Sequence, residues 1–558
     1  MNRNVESHFA LNPTNIDIRR STFDRSHSLK TSFNVGDIVP FFIDEVLPGD
    51  TFNVDTSKVV RLQTLLTPVM DNIYLDTYYF FVPNRLTWSH WKQFNGENTQ
   101  SAWYPQTEYE VPQITAPAGT GWSVGTIADY LGVPTGVPDL SVSALPFRAY
   151  ALVMNEWFRD ENLSDPLVVP VDDATVAGVN TGTFVTDVAK GGLPYKAAKY
   201  HDYFTSCLPS PQKGPDVLIP SATSGEYPVV PRATPIPAET LGTVPYTASF
   251  PSGAPTAPSS IGFSTNGTQL SDGVQQLSGT GMPIINNLYA ISSGGLGASI
   301  NQLRLAFQVQ KLYEKDARGG SRYIEILKSH FGVTSPDARL QRPEYLGGNR
   351  IPININQVVQ QSATASGATA QGTVTGMSVT TDTHSDFTKS FTEHGFVIGV
   401  MVARYDHTYQ QGLERFWSRK DRFDYYWPVF ANIGEQAVKN KEIYAQGPAK
   451  KDKAGNVIDD QVFGYQEAWA DYRYKPSRVT GEMRSQYEQS LDVWHLADDY
   501  NALPMLSDSW IREDKTNVDR VLAVTSSVSN QLFADIYIKN RTTRPMPMYS
   551  IPGLIDHH

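Results

Sequence analysis

At 558 residues the chain is long enough for several domains, yet 28 Tyr, 25 Phe, 41 Gly and 37 Pro suit one large strand-rich body with many turns better than a string of helical modules. A net charge of -11, from 46 Lys and Arg against 57 Asp and Glu, excludes a surface that coats nucleic acid throughout, so any DNA contact has to be local. The lone Cys207 excludes an internal disulfide and a multi-thiolate zinc site; with no export-like start and no long apolar run, the expectation is a soluble protein assembled in cytoplasm without membrane insertion.

Residues 1–35 are polar, with Arg3, Arg19, Arg20, Arg25 and Lys30 against Glu6, Asp17 and Asp24, a balance of 5 minus 3 in an acidic chain. They read as an arm ahead of the first strand that is either a solvated tail or a contact to nucleic-acid backbone. Ile38 to Val46 is apolar and β-rich, Leu47-Pro48-Gly49-Asp50 supplies a turn, and Thr51 to Val54 resumes the extended pattern. Ile73 to Val82 places Ile73, Leu75, Tyr79 and Phe81 on one face and Tyr74, Tyr78, Phe80 and Val82 on the other. Only Asp76 and Thr77 interrupt this run, so both faces are expected to be covered, inside a sandwich or at a subunit contact. The loop that follows carries Trp88, Trp91, Phe94, Trp103, Tyr104 and Tyr109. With few cations to accompany base stacking, Trp88, Trp91 and Trp103 are expected at an interface between subunits.

Ala149 to Phe158 has helical spacing and is expected to cap the sandwich. Between about 215 and 300 the chain becomes rich in Pro, Gly, Ser and Thr, and after Asp216 only Glu226, Arg232, Glu239 and Asp272 are charged. Recurring apolar residues between the turns favour a small ordered lobe over a disordered linker. Leu305, Val309, Leu312 and Tyr313 predict a helix stopped by Gly319-Gly320, and Ser321 is expected to cap a second helix that ends at Gly332. Strands return from Phe396 to Val402. Near the end, Leu532, Ala534, Ile536 and Ile538 alternate with Phe533, Asp535, Tyr537 and Lys539 in a half-buried strand. If the first and last strands share a core, the residues between them are loops and insertions on one mainly β, jelly-roll type sandwich with few helices.

Several long phrases carry a family resemblance: EVLPGDTF, TPVMDNIYLDTYYFFVPNRLTWSHW, KYHDYFTSCLPSPQKG, YEKDARGGSRYIEILKSHFGV, RLQRPEYLGG, FTEHGFVIGVMVARYDHTYQQGL, DYYWPVFANIGEQAV, FGYQEAWADYRYKPSRVTGEMRS and RPMPMYSIPGL. In this order they resemble the major capsid protein of the gokushovirus-type microviruses, small icosahedral single-stranded DNA bacteriophages. The resemblance implies a viral jelly roll divided as an interior-facing arm over 1–35, a first part of the core over 36–214, a surface insertion over 215–300, and a helix pair with the rest of the core over 301–558. It also implies pentamers and a T=1 shell around circular single-stranded DNA, assembled in the host bacterial cytoplasm. Implied partners are other copies of the chain, a DNA pilot protein, a small basic DNA-binding protein and a host cell-surface receptor met by the insertion.

No enzyme constellation stands out. His384, Asp386, Glu393 and His394 match no metal-binding spacing, KDKAGNVIDD reads as a hairpin turning at Gly455-Asn456, and Gly294, Gly295 and Gly297 lack the lysine of a phosphate loop. Cys207 lies near His201 and Asp202 but reads as a buried structural thiol. No catalytic residue, cofactor or metal site is expected. The alternative class, a β-sandwich that binds or hydrolyses carbohydrate, would normally be secreted, and as a hydrolase would need two facing carboxylates, which the sequence neither excludes nor places.

Overall fold

The computed structural model describes residues 19–97, 108–215, 217, 300–339, 341–362 and 370–549, with the backbone of four short strands between 229 and 290. The main strands are β1 (Ser21–Asp24), β2 (His27–Phe33), β3 (Val39–Val46), β4 (Thr51–Leu62) and β5 (Ile73–Pro83). Three helices follow, α1 (Leu145–Val153), α2 (Ile300–Gly319) and α3 (Tyr323–Phe331). The remaining main strands are β6 (Glu344–Gly347), β7 (Arg350–Pro352), β8 (Thr380–Ser390), β9 (Gly395–Tyr405) and β10 (Leu532–Arg544).

Two antiparallel sheets divide these strands. In the first, β1 and β2 both pair with β10, which pairs with β4, which pairs with β8; in the second, β6 and β7 both pair with β5, which pairs with β9, which pairs with β3. Taking β1 with β2, and β6 with β7, as single positions leaves eight strands in chain order, arranged 1-8-3-6 in one sheet and 5-4-7-2 in the other. This is the interleaving a jelly roll requires: the turn at Leu47–Asp50 carries the chain from one sheet to the other instead of closing a hairpin. The first and last strands do share a core, since His27 to Phe33 lies alongside Ile538 to Leu532.

Each sheet position follows from side-chain alternation. In β10 Leu532, Ala534, Ile536 and Ile538 point into the sandwich while Phe533, Asp535, Tyr537 and Lys539 face outward, as the pattern predicts. In β5 Ile73, Leu75, Tyr79 and Phe81 join the core between the sheets, and Phe80 and Val82 join a second core behind the second sheet. That second core is closed by residues between about 114 and 197, with α1 contributing Phe147, Tyr150 and Val153. The helix therefore covers the sandwich as expected, and its last turn, Met154–Phe158, widens into a π-helix.

The two polar residues of β5 are anchored on opposite faces. Asp76 accepts from Arg350 Nε at 2.6 Å, Arg404 at 2.6 Å and the Tyr200 hydroxyl at 2.9 Å on the outer side. Thr77 meets Asn349 Oδ1 at 2.8 Å on the inner side, where the buried Lys58 of β4 reaches the same oxygen at 2.6 Å and Asp382 at 3.2 Å. Gly348, at φ +146°, makes this approach possible, because a Cβ there would land on the Thr77 carbonyl oxygen.

Strand structure begins earlier than the pattern implies: β1 and β2 occupy residues 21–33 of the stretch read as an arm. These are edge strands with one solvated face, so their polar composition hides their pairing. Ser321 is not the cap of α3. Arg322 holds that position, and the Glu325 carboxylate accepts its backbone N–H at 3.1 Å. Gly320 (φ +94°) and Gly332 (φ +70°) do end the two helices.

The chain forms two compact units, 1–213 with 314–558, and Gly214–Tyr313. In the second unit Val229–Pro231 pairs with Leu288–Ala290 and Gly262–Phe263 with Leu270–Ser271, both antiparallel, and the unit includes α2 as far as Tyr313. It overlaps the turn-rich tract read over 215–300 and extends beyond it into the helix.

Candidate functional site

The basic residues of the first stretch do not act as one group. Arg3 lies outside the described residues, and Arg19 is exposed. Arg20 reaches the Gly49 carbonyl and the Thr51 hydroxyl. Arg25 is held by both oxygens of Asp44, at 2.6 and 2.7 Å, a bidentate pair that ties the link between β1 and β2 to β3. Lys30 projects from the solvated face of the first sheet, 3.7 Å from Asp535 across the strand pair. That face also carries Arg61, Lys539 and Arg541, exposed side chains from β4 and β10 that sequence spacing had not joined to Lys30. Alternation along β10 was the available signal.

The tryptophans divide as well. Trp88 is fully buried inside its own chain, with Nε1 donating to Asp173 at 2.5 Å and its ring against Trp91 and Phe94. Hydrogen bonds from His90 and Trp88 hold the Asp173 carboxyl below the ordinary carboxylate range. Trp88 is thus a core residue and has no surface for a neighbour, which corrects its assignment to an interface. Trp91 keeps partial exposure and packs against His394, and Trp103 lies outside the described residues.

The residues weighed for metal or nucleophilic chemistry do not converge. Glu393 pairs with Arg85 at 2.7 Å, His394 packs on Trp91, and His384 contacts Asp386 at 3.1 Å. No group of metal-ligating side chains occurs among the described residues. Burial pushes the Cys207 thiol well up, and the thiol donates to the Tyr203 carbonyl at 3.4 Å. Lys451 and Val457 bridge across a turn that contains Gly455 at φ +89°, so the KDKAGNVIDD segment is a hairpin.

A different surface dominates the exterior of this unit. From Phe416 to Ile433 the chain runs through three single-turn helices, Arg415–Ser418, Arg422–Asp424 and Pro428–Phe430, none of which pairs with a sheet. Seven of these eighteen residues are aromatic, against 11% for the chain. Trp417 is 67% exposed, Phe423 59%, Trp427 50% and Val429 82%. The strip borders a cleft of about 400 Å³ whose other wall includes Tyr472 and Tyr474. Cations lining the cleft have partners in the same chain, Arg419 with Asp471, Lys475 with Glu414, and Arg478 with Glu414 at 2.8 Å, while Arg422 of the strip lies over the Phe423 ring. Contiguous exposed rings of this kind mark a contact surface.

Sequence comparisons place the chain among known proteins. Residues 13–554 match the family described as capsid protein (F protein). The chain belongs to that family. It is 43% identical to capsid protein VP1 of Chlamydia phage 1, an alignment covering 99% of this chain and 98% of that one. Capsid protein VP1 of Spiroplasma virus 4 is 43% identical over 96% of both chains, and that of Bdellovibrio phage phiMH2K is 42% identical over 99% and 98%. As a capsid protein of this family the chain is a structural component of a phage virion, and the two-sheet sandwich is the body from which that component is built.

Proposed function

We propose that copies of this chain assemble through pentamers into a T=1 icosahedral shell around a circular single-stranded DNA genome, in the cytoplasm of a bacterial host. The observation that carries this reading is the near full-length match to three phage capsid proteins by a chain with a two-sheet sandwich and an extensive apolar exterior. The solvated face of the first sheet, with Lys30, Arg61, Lys539 and Arg541, is the side proposed to meet phosphate, because cations spread over a flat face bind backbone without reading sequence. A pilot protein and a small basic DNA-binding protein complete the proposed contents of the particle.

The insertion over 215–300 is the proposed attachment device toward a host cell-surface receptor. Its support is separateness: the second unit is compact on its own, so it can vary without disturbing the sandwich. In α2, Ile300, Leu305, Phe307 and Leu312 are all exposed, apolar surface that association around a symmetry axis would cover in part. Electron microscopy of purified protein tests the shell, with closed particles of uniform size expected and monodisperse small particles contradicting it. Replacing 215–300 by a short Gly-Ser linker tests the insertion. Shells should form while adsorption to host cells is lost; unchanged adsorption removes the attachment role, and absent shells make the tract architectural.

A further inference from the structure

We infer that the strip from Phe416 to Ile433 is a subunit contact, seated in the assembled particle against a second copy of this chain. The inference rests on the coat-protein reading and adds to it a surface that neither family membership nor the tryptophans near residue 90 identify.

The strip is tied to its own chain without being buried. The Trp469 indole donates to the Phe430 carbonyl at 2.9 Å, Asp421 receives the Phe423 N–H at 2.8 Å, and Asp424 receives the Lys420 N–H at 2.7 Å. Within the strip the Trp427 indole N–H donates to the Arg422 carbonyl at 2.9 Å. Its polar handle is therefore satisfied locally, and the ring it leaves half exposed is apolar surface. Ordering this surface before contact removes part of the entropy cost of association.

Composition and charge separate two kinds of occupant. Interface cores are enriched in Trp, Tyr, Phe and Arg and depleted in Lys, Glu and Asp, and the strip holds seven aromatics and two arginines against one lysine, two aspartates and no glutamate. A platform for single-stranded nucleic acid combines stacking rings with a positive groove along the backbone. Here Arg419 is paired with Asp471, Lys475 and Arg478 with Glu414, and Arg415 with Glu442 at 3.6 Å, so most of the positive charge along the cleft is neutralised within the chain. Exposed rings with neutralised cations suit a protein surface. In a homo-oligomer that surface belongs to another copy.

Trp417→Ala combined with Trp427→Ala tests the contact. The unassembled variant should melt with the parent, while the concentration needed to form shells should rise at least about tenfold, as truncating interface hot spots does. Parent-like assembly overturns the inference, and so does normal assembly with DNA lost more readily on adding salt, which would make the strip a nucleic-acid platform. A parent that forms no shells under any condition overturns the proposed self-assembly instead. If the double variant does not fold, the thiol introduced by Val429→Cys decides the question. It should react with a maleimide in unassembled subunits and be protected in shells, and equal labelling in both states overturns the contact.

Discussion

Strand β5 and the strip from Phe416 to Ile433 are made of the same residue types and sit in opposite places. In β5 Tyr79 and Phe81 face the core between the sheets, Phe80 and Val82 face the core behind, and pairing with β6, β7 and β9 covers both edges. In the strip Trp417, Phe423, Trp427 and Val429 stand at 50 to 82% exposure on a backbone without sheet pairing. Aromatic density alone marks a surface that is to be desolvated. A strand between two others is covered as it folds, whereas the exterior strip is left for a partner to cover.

The largest expected effect would break this comparison if absent. Phe80 packs against Trp157, Phe158 and Tyr345 with ring centroids 5.3, 6.0 and 5.6 Å away, so Phe80→Ala should cost about 4 kcal/mol of subunit stability through lost burial and a cavity. Trp427→Ala should change it by about 1 kcal/mol, because half of that residue is still exposed before assembly. Denaturant unfolding of unassembled subunits measures both, and equal losses would erase the distinction.

Next in size is Asp76→Asn. The side chain stays in place but the charge facing Arg350 and the largely buried Arg404 is removed, at a cost of about 3 kcal/mol. Burial favours the neutral acid at Asp76, yet the hydrogen bonds and charges of Arg350 and Arg404 prevail and hold its pKa below 3.8. The sign follows: a depressed carboxyl stabilises the fold above its unfolded value, and that contribution disappears as pH falls through the folded value. Acid unfolding of the parent should therefore lose its Asp76 component only below about pH 4, and the variant should lack it.

A separate effect sharpens the interior side. Burial alone would depress His407, but Glu513 and Asp498, each 3.0 Å from a ring nitrogen, raise it to about 10. A raised histidine contributes fully below its unfolded value near 6.5 and loses that contribution as pH rises to about 10. Subunit stability should decline over this window, and His407→Gln should flatten the decline. A parent with a flat profile across the window would show that the imidazolium is not held by these carboxylates.

Much of the sandwich was legible because period-two alternation survives wherever one face is buried. β10 and β5 show it clearly, and Gly320 and Gly332 mark the helix ends. What escaped has physical causes. β8 is TTDTHSDFTKS, with hydroxyls paired across the sheet and only Phe387 as an apolar core side chain, so it lacks a hydrophobic signature. β1 and β2 are polar edge strands, and Lys58 points inward because Asp382 and Asn349 meet it there. Trp88 and Trp427 both lie in aromatic-rich sequence and nothing in that pattern distinguishes them; three-dimensional cover separates a core ring from a contact ring.

Hydroxyl-radical footprinting of tryptophan side chains, on unassembled subunits and on shells of the unaltered protein, tests most directly the claim that part of the hydrophobic core lies between copies. The account predicts that Trp88 is protected in both states, while Trp417 and Trp427 are oxidised in free subunits and protected in shells. Equal oxidation of Trp417 and Trp427 in the two states would contradict it.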